Sequence, residues 1–73
     1  MSEKLDELKK LAAIAADMKL PAELRTKAIE QLGIIATRDA LLALLELAAS
    51  EELTVRDRDL ALKKAREVIK KTP

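Results

Sequence analysis

The 73-residue chain has no cysteine, no histidine and no aromatic residue, and it contains one glycine, Gly33, and two prolines. Each absence removes a class of chemistry. Without cysteine no disulfide framework can form, and without cysteine or histidine ordinary zinc and haem sites lack their usual ligands. A single glycine rules out the glycine-rich loops that cradle phosphates, and no calcium-loop pattern occurs. The lack of aromatic rings removes the stacking platforms on which single-stranded nucleic acid is read. With no histidine or cysteine there is no conventional catalytic triad or dyad, and nothing supports a Ser-Lys arrangement. Several hydroxyls, Ser2, Thr37 and Thr54 among them, stand at predicted helix ends, where capping accounts for them. The carboxylates fall on solvated faces or in first turns, which fits solubility better than acid/base catalysis. The sequence therefore predicts no enzyme, no cofactor, no metal site and no small-molecule substrate.

Ala, Leu, Glu, Lys and Arg supply 49 of the 73 residues, a strong bias towards helix. Fourteen basic and thirteen acidic side chains leave a net charge of +1, which gives no long-range field for steering nucleic acid or anionic lipid. The charge is uneven: residues 1–54 carry −3 and residues 55–73 carry +4. The basic "KKAREVIKK" run from Lys63 to Lys71 is expected where a helix C-terminus favours cations, and it predicts neither nucleic-acid nor membrane binding. The opening "MSEKLDELKK" is charged throughout, unlike a signal peptide. The longest apolar stretch, Ala40 to Ala49, is about half the ~20 residues needed to cross a bilayer. These readings predict a soluble chain of unassigned compartment, cytoplasmic on expression if it is a designed protein.

Local signals place four helices near residues 2–18, 21–36, 38–50 and 55–71. Ser2 is read as the first cap, with Glu3, Asp6 and Glu7 near the start and Lys19 at the end, as the helix dipole favours. Pro21 disfavours helix at Leu20 and suits the first helical position of the next segment. Thr37 caps the third helix, and "TVRD" from Thr54 to Asp57 resembles a capping box that opens the fourth.

Shifted by 33 residues, the chain repeats itself: Asp6/Asp39, Leu8/Leu41, Leu11/Leu44, Ala15/Ala48, Leu20/Leu53, Arg25/Arg58 and Ala28/Ala61 are identical pairs. One helical hairpin per period is the pattern of an α-solenoid. The expected architecture is all-α and a single domain over residues 1–73: two stacked hairpins, about 2–36 and 38–71, as a solenoid fragment or helical bundle. The stretch "LRTKAIEQLGIIATRDALLALLELA" resembles HEAT repeats of the short, lyase-like kind through Leu24, Arg25, Ala28, Ile29, Leu32, Gly33, Ile35, Ala40, Leu41, Leu44 and Leu45. The resemblance covers roughly residues 24–56 and then departs, with Asp59, Lys63 and Lys64 standing where Ala, Leu and Gly belong. It implies a mode of packing and a concave second-helix face that takes a protein or peptide, and no catalytic activity. Gly33 fits close approach of a neighbouring helix; the alternative is a C-cap there, which the apolar stripe continuing through Ile35 and Ala36 disfavours.

At 100° per residue the leucines of the third helix sweep roughly 220° of its circumference, an arc that no single neighbour covers. Helices on three sides would cover most of it, making this helix the centre of the core. Four residues are left over by that arrangement. Ile34 points away from the apolar side of the second helix, between Lys27 and Glu30, and Leu60 falls among Lys64, Glu67 and Lys71 of the fourth. Ile14 and Met18 widen the apolar face of the first helix, which has neighbours on fewer sides. These are the candidate contacts with a partner, foremost a second copy of the chain, with a dimer favoured by symmetry. Propensity, caps, charge and apolar pattern agree almost everywhere, whereas natural functional sites tend to break such agreement. In this respect the sequence resembles computationally designed helical proteins.

Overall fold

A computed structural model describes residues 3–71, and its described residues are helical with short connections. The four helices are α1 (Glu3–Ala16), α2 (Ala22–Ile35), α3 (Arg38–Ala49) and α4 (Val55–Lys71). Ser2, read as the first cap, lies outside the described residues. Thr37 caps α3 as expected, its Oγ1 accepting from Ala40 N–H at 3.1 Å. Thr54 Oγ1 accepts from Asp57 N–H at 3.1 Å, which is one half of the capping box. The other half does not form, because the Asp57 carboxylate is committed elsewhere.

Two termini differ from the sequence expectation. Helix α1 stops at Ala16, so Lys19 is not in a last turn; it sits in a turn where its N–H donates to Asp17 Oδ1 at 2.9 Å. A short acid two residues back offers the backbone an alternative to the helix. Pro21 is the residue before α2 and not its first helical member: its φ of −58° suits either position, but its ψ of 147° is extended. Its carbonyl still starts the ladder, accepting from Leu24 and Arg25 N–H at 3.0 and 3.3 Å. At the other end of α2, Ala36 takes the left-handed conformation with φ 55° and donates its N–H to Leu32 O at 3.2 Å. The reversal that a glycine usually serves is thus made by an alanine, and Gly33 lies inside the helix. A Cβ at Gly33 would stand 3.2 Å from Lys64 Cβ and 3.1 Å from Lys64 Cδ, so α4 crosses α2 where only a hydrogen fits comfortably.

The helices form two layers, α1 beside α3 and α2 beside α4, with α2 also touching α3; among the described residues α1 and α4 do not meet. This is one hairpin laid against another. The 33-residue period is legible in the backbone. Asp17 N–H to Ile14 O is matched by Ser50 N–H to Leu47 O, Leu20 to Asp17 by Leu53 to Ser50, and Arg25 to Pro21 by Arg58 to Thr54. Both hairpins are therefore closed by the same kind of turn in the same register.

Leu8, Ala15, Ala28, Ile29, Leu32, Ala40, Leu44, Leu47, Leu53, Ala61, Ala65 and Val68 make up the buried core. Four of the alanines, at 15, 40, 61 and 65, are wholly buried, which lets helices approach closely along the seams while the larger Ile29, Leu32 and Leu44 fill the space between. Helix α3 contributes Ala40, Leu44 and Leu47, and its contacts with the other three helices cover that side as anticipated. The cover is narrower than the leucine arc, however. Leu42 and Leu45 are left exposed, because three neighbours pack around one flank of α3 and none reaches the other.

Candidate functional site

The four residues singled out from the sequence do not come together as one patch. Ile34 projects from α2 and is 69% exposed. Leu60, expected beside it on the same side of the second layer, is half-buried and packs against the core instead. The α2–α4 crossing at Gly33 brings α4 in close enough for that flank of α4 to lie inside the structure. Ile14 and Met18 are exposed along the outer edge of α1 and the turn that follows.

Sequence reasoning missed the one feature in which buried charge is used. Arg25 and Asp57 are the buried charged residues among those described. Arg25 Nε donates to Asp57 Oδ2 at 2.9 Å, and Arg25 Nη1 donates to the carbonyl of Leu20 at 2.6 Å. A single guanidinium thus ties α2 to α4 and to the α1–α2 turn. The pair links the two hairpins, and the flat, forked guanidinium satisfies two acceptors at once in a way an ammonium would not. A signal did exist: Arg25 stands three, four and seven residues before Ala28, Ile29 and Leu32, and Asp57 stands four, eight and eleven before Ala61, Ala65 and Val68. Both charges therefore fall on the apolar stripes of their helices, where an unpaired charge is not tolerated.

The pair has no access to a substrate. Asp57 is 2% exposed, and a nearby hollow of about 210 Å³, lined by Ala22, Glu23, Thr26, Lys27, Glu30 and Arg56, includes neither member. Two further hollows lie along the α1–α3 groove among Ala12, Ala43 and Glu46; Ser50 shares one of them with Glu46, but its hydroxyl is not hydrogen-bonded to that carboxylate. Among the described residues no group of three or more carboxylates stands close enough to hold a metal ion, and no helix is long and apolar enough to cross a membrane.

What the surface does hold is aliphatic. Ile14, Met18, Leu24, Ile34, Leu42, Leu45, Val55, Leu62 and Ile69 are all exposed. Leu62 and Ile69 stand at helical spacing from the buried Ala65 of α4, yet they lie open. One further group stands out: the Nε of Arg58, 33 residues after Arg25, is buried and has no hydrogen-bond partner.

The chain matches no family model, no curated protein and no solved structure.

Proposed function

We propose that the chain is a structural scaffold, designed in character and HEAT-like in its hairpin repeat, which has no enzymatic activity and self-assembles into a closed homo-oligomer, a dimer first. The observation that carries this reading is the number of exposed leucine, isoleucine, valine and methionine side chains, spread over all four helices, on a chain whose core is already filled. Scattered exposed apolar residues are ordinary, but nine large ones among the described residues of so small a chain exceed what solubility favours. Association removes them from water at roughly 25 cal/mol per Å² of apolar area, and it supplies the extra burial that so small a core lacks. The near-zero net charge does not oppose two copies meeting.

A second reading, a binding module that takes a protein or peptide on the α2–α4 layer, is favoured by Ile34 alone. With Leu60 half-buried, Ile34 lacks the exposed neighbour expected beside it on that side of the layer. Molar mass by light scattering coupled to size exclusion decides between the two. Self-assembly gives a particle of twice 8.1 kDa or a higher whole multiple at micromolar concentration. A mass of one chain removes self-assembly and leaves the binding module or a plain monomeric scaffold.

A further inference from the structure

Resting on the self-association reading, we infer that the oligomer is a two-fold dimer built through the open face of the α3–α4 hairpin, whose occupant is the same face of a second copy. The chain itself shows what this face is shaped to receive. Hairpin α1–α2 is covered by hairpin α3–α4, and the 33-residue register maps three of its covered positions onto uncovered ones, while Ala28 and Leu32 map onto the equally buried Ala61 and Ala65. Ile29, fully buried between the hairpins, corresponds to Leu62, which is 38% exposed. Ala36, half-buried against the core, corresponds to Ile69, which is 53% exposed, and half-buried Ala12 corresponds to Leu45, which is 39% exposed.

Helical geometry keeps these residues together. Leu62 and Ile69 are seven apart, so they stand one above the other on α4, and Arg58 precedes Leu62 by four on the same flank. At each of these three exposed positions the second hairpin carries a side chain as large as or larger than the first: Leu for Ile, Ile for Ala, Leu for Ala. A face meant for water would show the reverse, since the end units of stacked-hairpin proteins present a polar outer surface.

Arg58 is the second, independent observation. Its counterpart Arg25 has its Nε paired with an aspartate from the next hairpin, whereas Arg58 is half-buried, with its Nε enclosed by its own chain and without a partner among the described residues. Leaving such a donor unpaired is costly. An acid brought onto this face by a second copy would meet the part of the Arg58 side chain that is still open to water.

The same register tells a two-fold contact from a head-to-tail one. In head-to-tail stacking the α1–α2 hairpin of the second copy would meet Arg58 as α3–α4 meets Arg25. The position equivalent to Asp57 in that hairpin is Leu24, so the required carboxylate is missing. An isologous contact instead places α4 against α4, where exposed Asp59, adjacent to Arg58, supplies an acid on each side of the axis. It also closes on itself, whereas a head-to-tail contact grows into a filament unless the rotation closes.

The test compares the wild-type chain, Leu62→Glu/Ile69→Glu and Ile14→Glu/Met18→Glu by sedimentation equilibrium up to about 100 µM, the range in which a weak dimer is still populated. Circular dichroism is recorded on each. Both α4 substitutions are at exposed positions, and a carboxylate introduced in place of Leu62 would lie between Arg58 and Arg66 on one helix face, so helicity is expected to be retained. Leu45→Glu, on α3, repeats the test should the double variant lose its fold. The expected result is a wild-type mass of twice 8.1 kDa, a single-chain mass for the α4 and Leu45 variants, and an unchanged dimer for the α1 variant. A wild-type chain that is monomeric throughout overturns both this inference and the self-association reading. An oligomer that survives the α4 and Leu45 substitutions, or that also dissociates in the α1 variant, overturns the two-fold face and leaves self-association standing.

Discussion

At the scale of single residues, Arg25 and Asp57 show how a buried charge pair differs from an apolar contact of the same size. Each ion loses its hydration, and the loss is offset only because Arg25 reaches two acceptors and Asp57 accepts a charge-assisted bond at 2.9 Å. Removing one partner leaves the other charged, dry and alone, whereas removing both leaves an ordinary apolar site. Asp57→Ala is therefore expected to lower unfolding free energy by about 3–5 kcal/mol. The double replacement Arg25→Met/Asp57→Leu is expected to recover most of that loss. Urea titrations of the two variants measure this directly. If the single and double variants are equally destabilised, the pair does not couple the hairpins. The pairing's specificity comes from its placement: only one stacking of the hairpins brings residue 57 to residue 25, so the pair fixes the register that apolar contacts alone would leave loose.

At the scale of elements, the helices are written plainly in the sequence and their ends less so. Thr37, Thr54 and the 3.6-residue apolar spacing located α2, α3 and α4 to within a residue or two, because caps and periodicity are local. Exposure was less legible. Leu60 and Leu62 both lie near apolar positions of α4, and which of them is covered depends on where α2 crosses, which Gly33 decides through a contact across the fold. The Arg25–Asp57 bond was missed for a similar reason: "TVRD" offers Asp57 a sufficient local role at the helix start, and only the neighbouring hairpin reveals the stronger one. Ala36 is a further case in which tertiary packing overrides a local preference. A non-glycine residue at φ 55° costs roughly 1–2 kcal/mol. Glycine relieves that cost but loses more backbone entropy on folding and forfeits the packing of the half-buried methyl. Ala36→Gly is accordingly expected to stabilise the chain by about 0.5–1 kcal/mol, read as a rise in thermal midpoint. A drop in midpoint means that the methyl's packing outweighs the strain.

At the scale of the whole molecule, neither hairpin has a core of its own. Ile29 and Leu32 of α2 are completely buried although α1 flanks only one side of that helix, and the remaining cover comes from α3 and α4. Helix α3 in turn draws on α1 and α2 for the side that α4 does not reach. Repeat units of this kind gain stability from the interface with the next unit more than from within, so the chain is expected to unfold in one step, without a half-folded intermediate. Two peptides, residues 1–36 and 38–73, make the expectation measurable. Each alone exposes half of the shared face, including one member of the Arg25–Asp57 pair, and each is shorter than the length at which a helical pair holds itself together without tertiary cover. Separately they are expected to show weak helical circular dichroism, and an equimolar mixture is expected to regain most of the intact chain's signal as the hairpins dock. Strong helicity with a cooperative thermal transition in residues 38–73 alone would mean that α3 and α4 suffice for each other. The interface carried by Ile29, Leu32 and the buried ion pair would then be a contact between two finished parts, and the open face of the second hairpin would have no unmet need for a partner of the same kind.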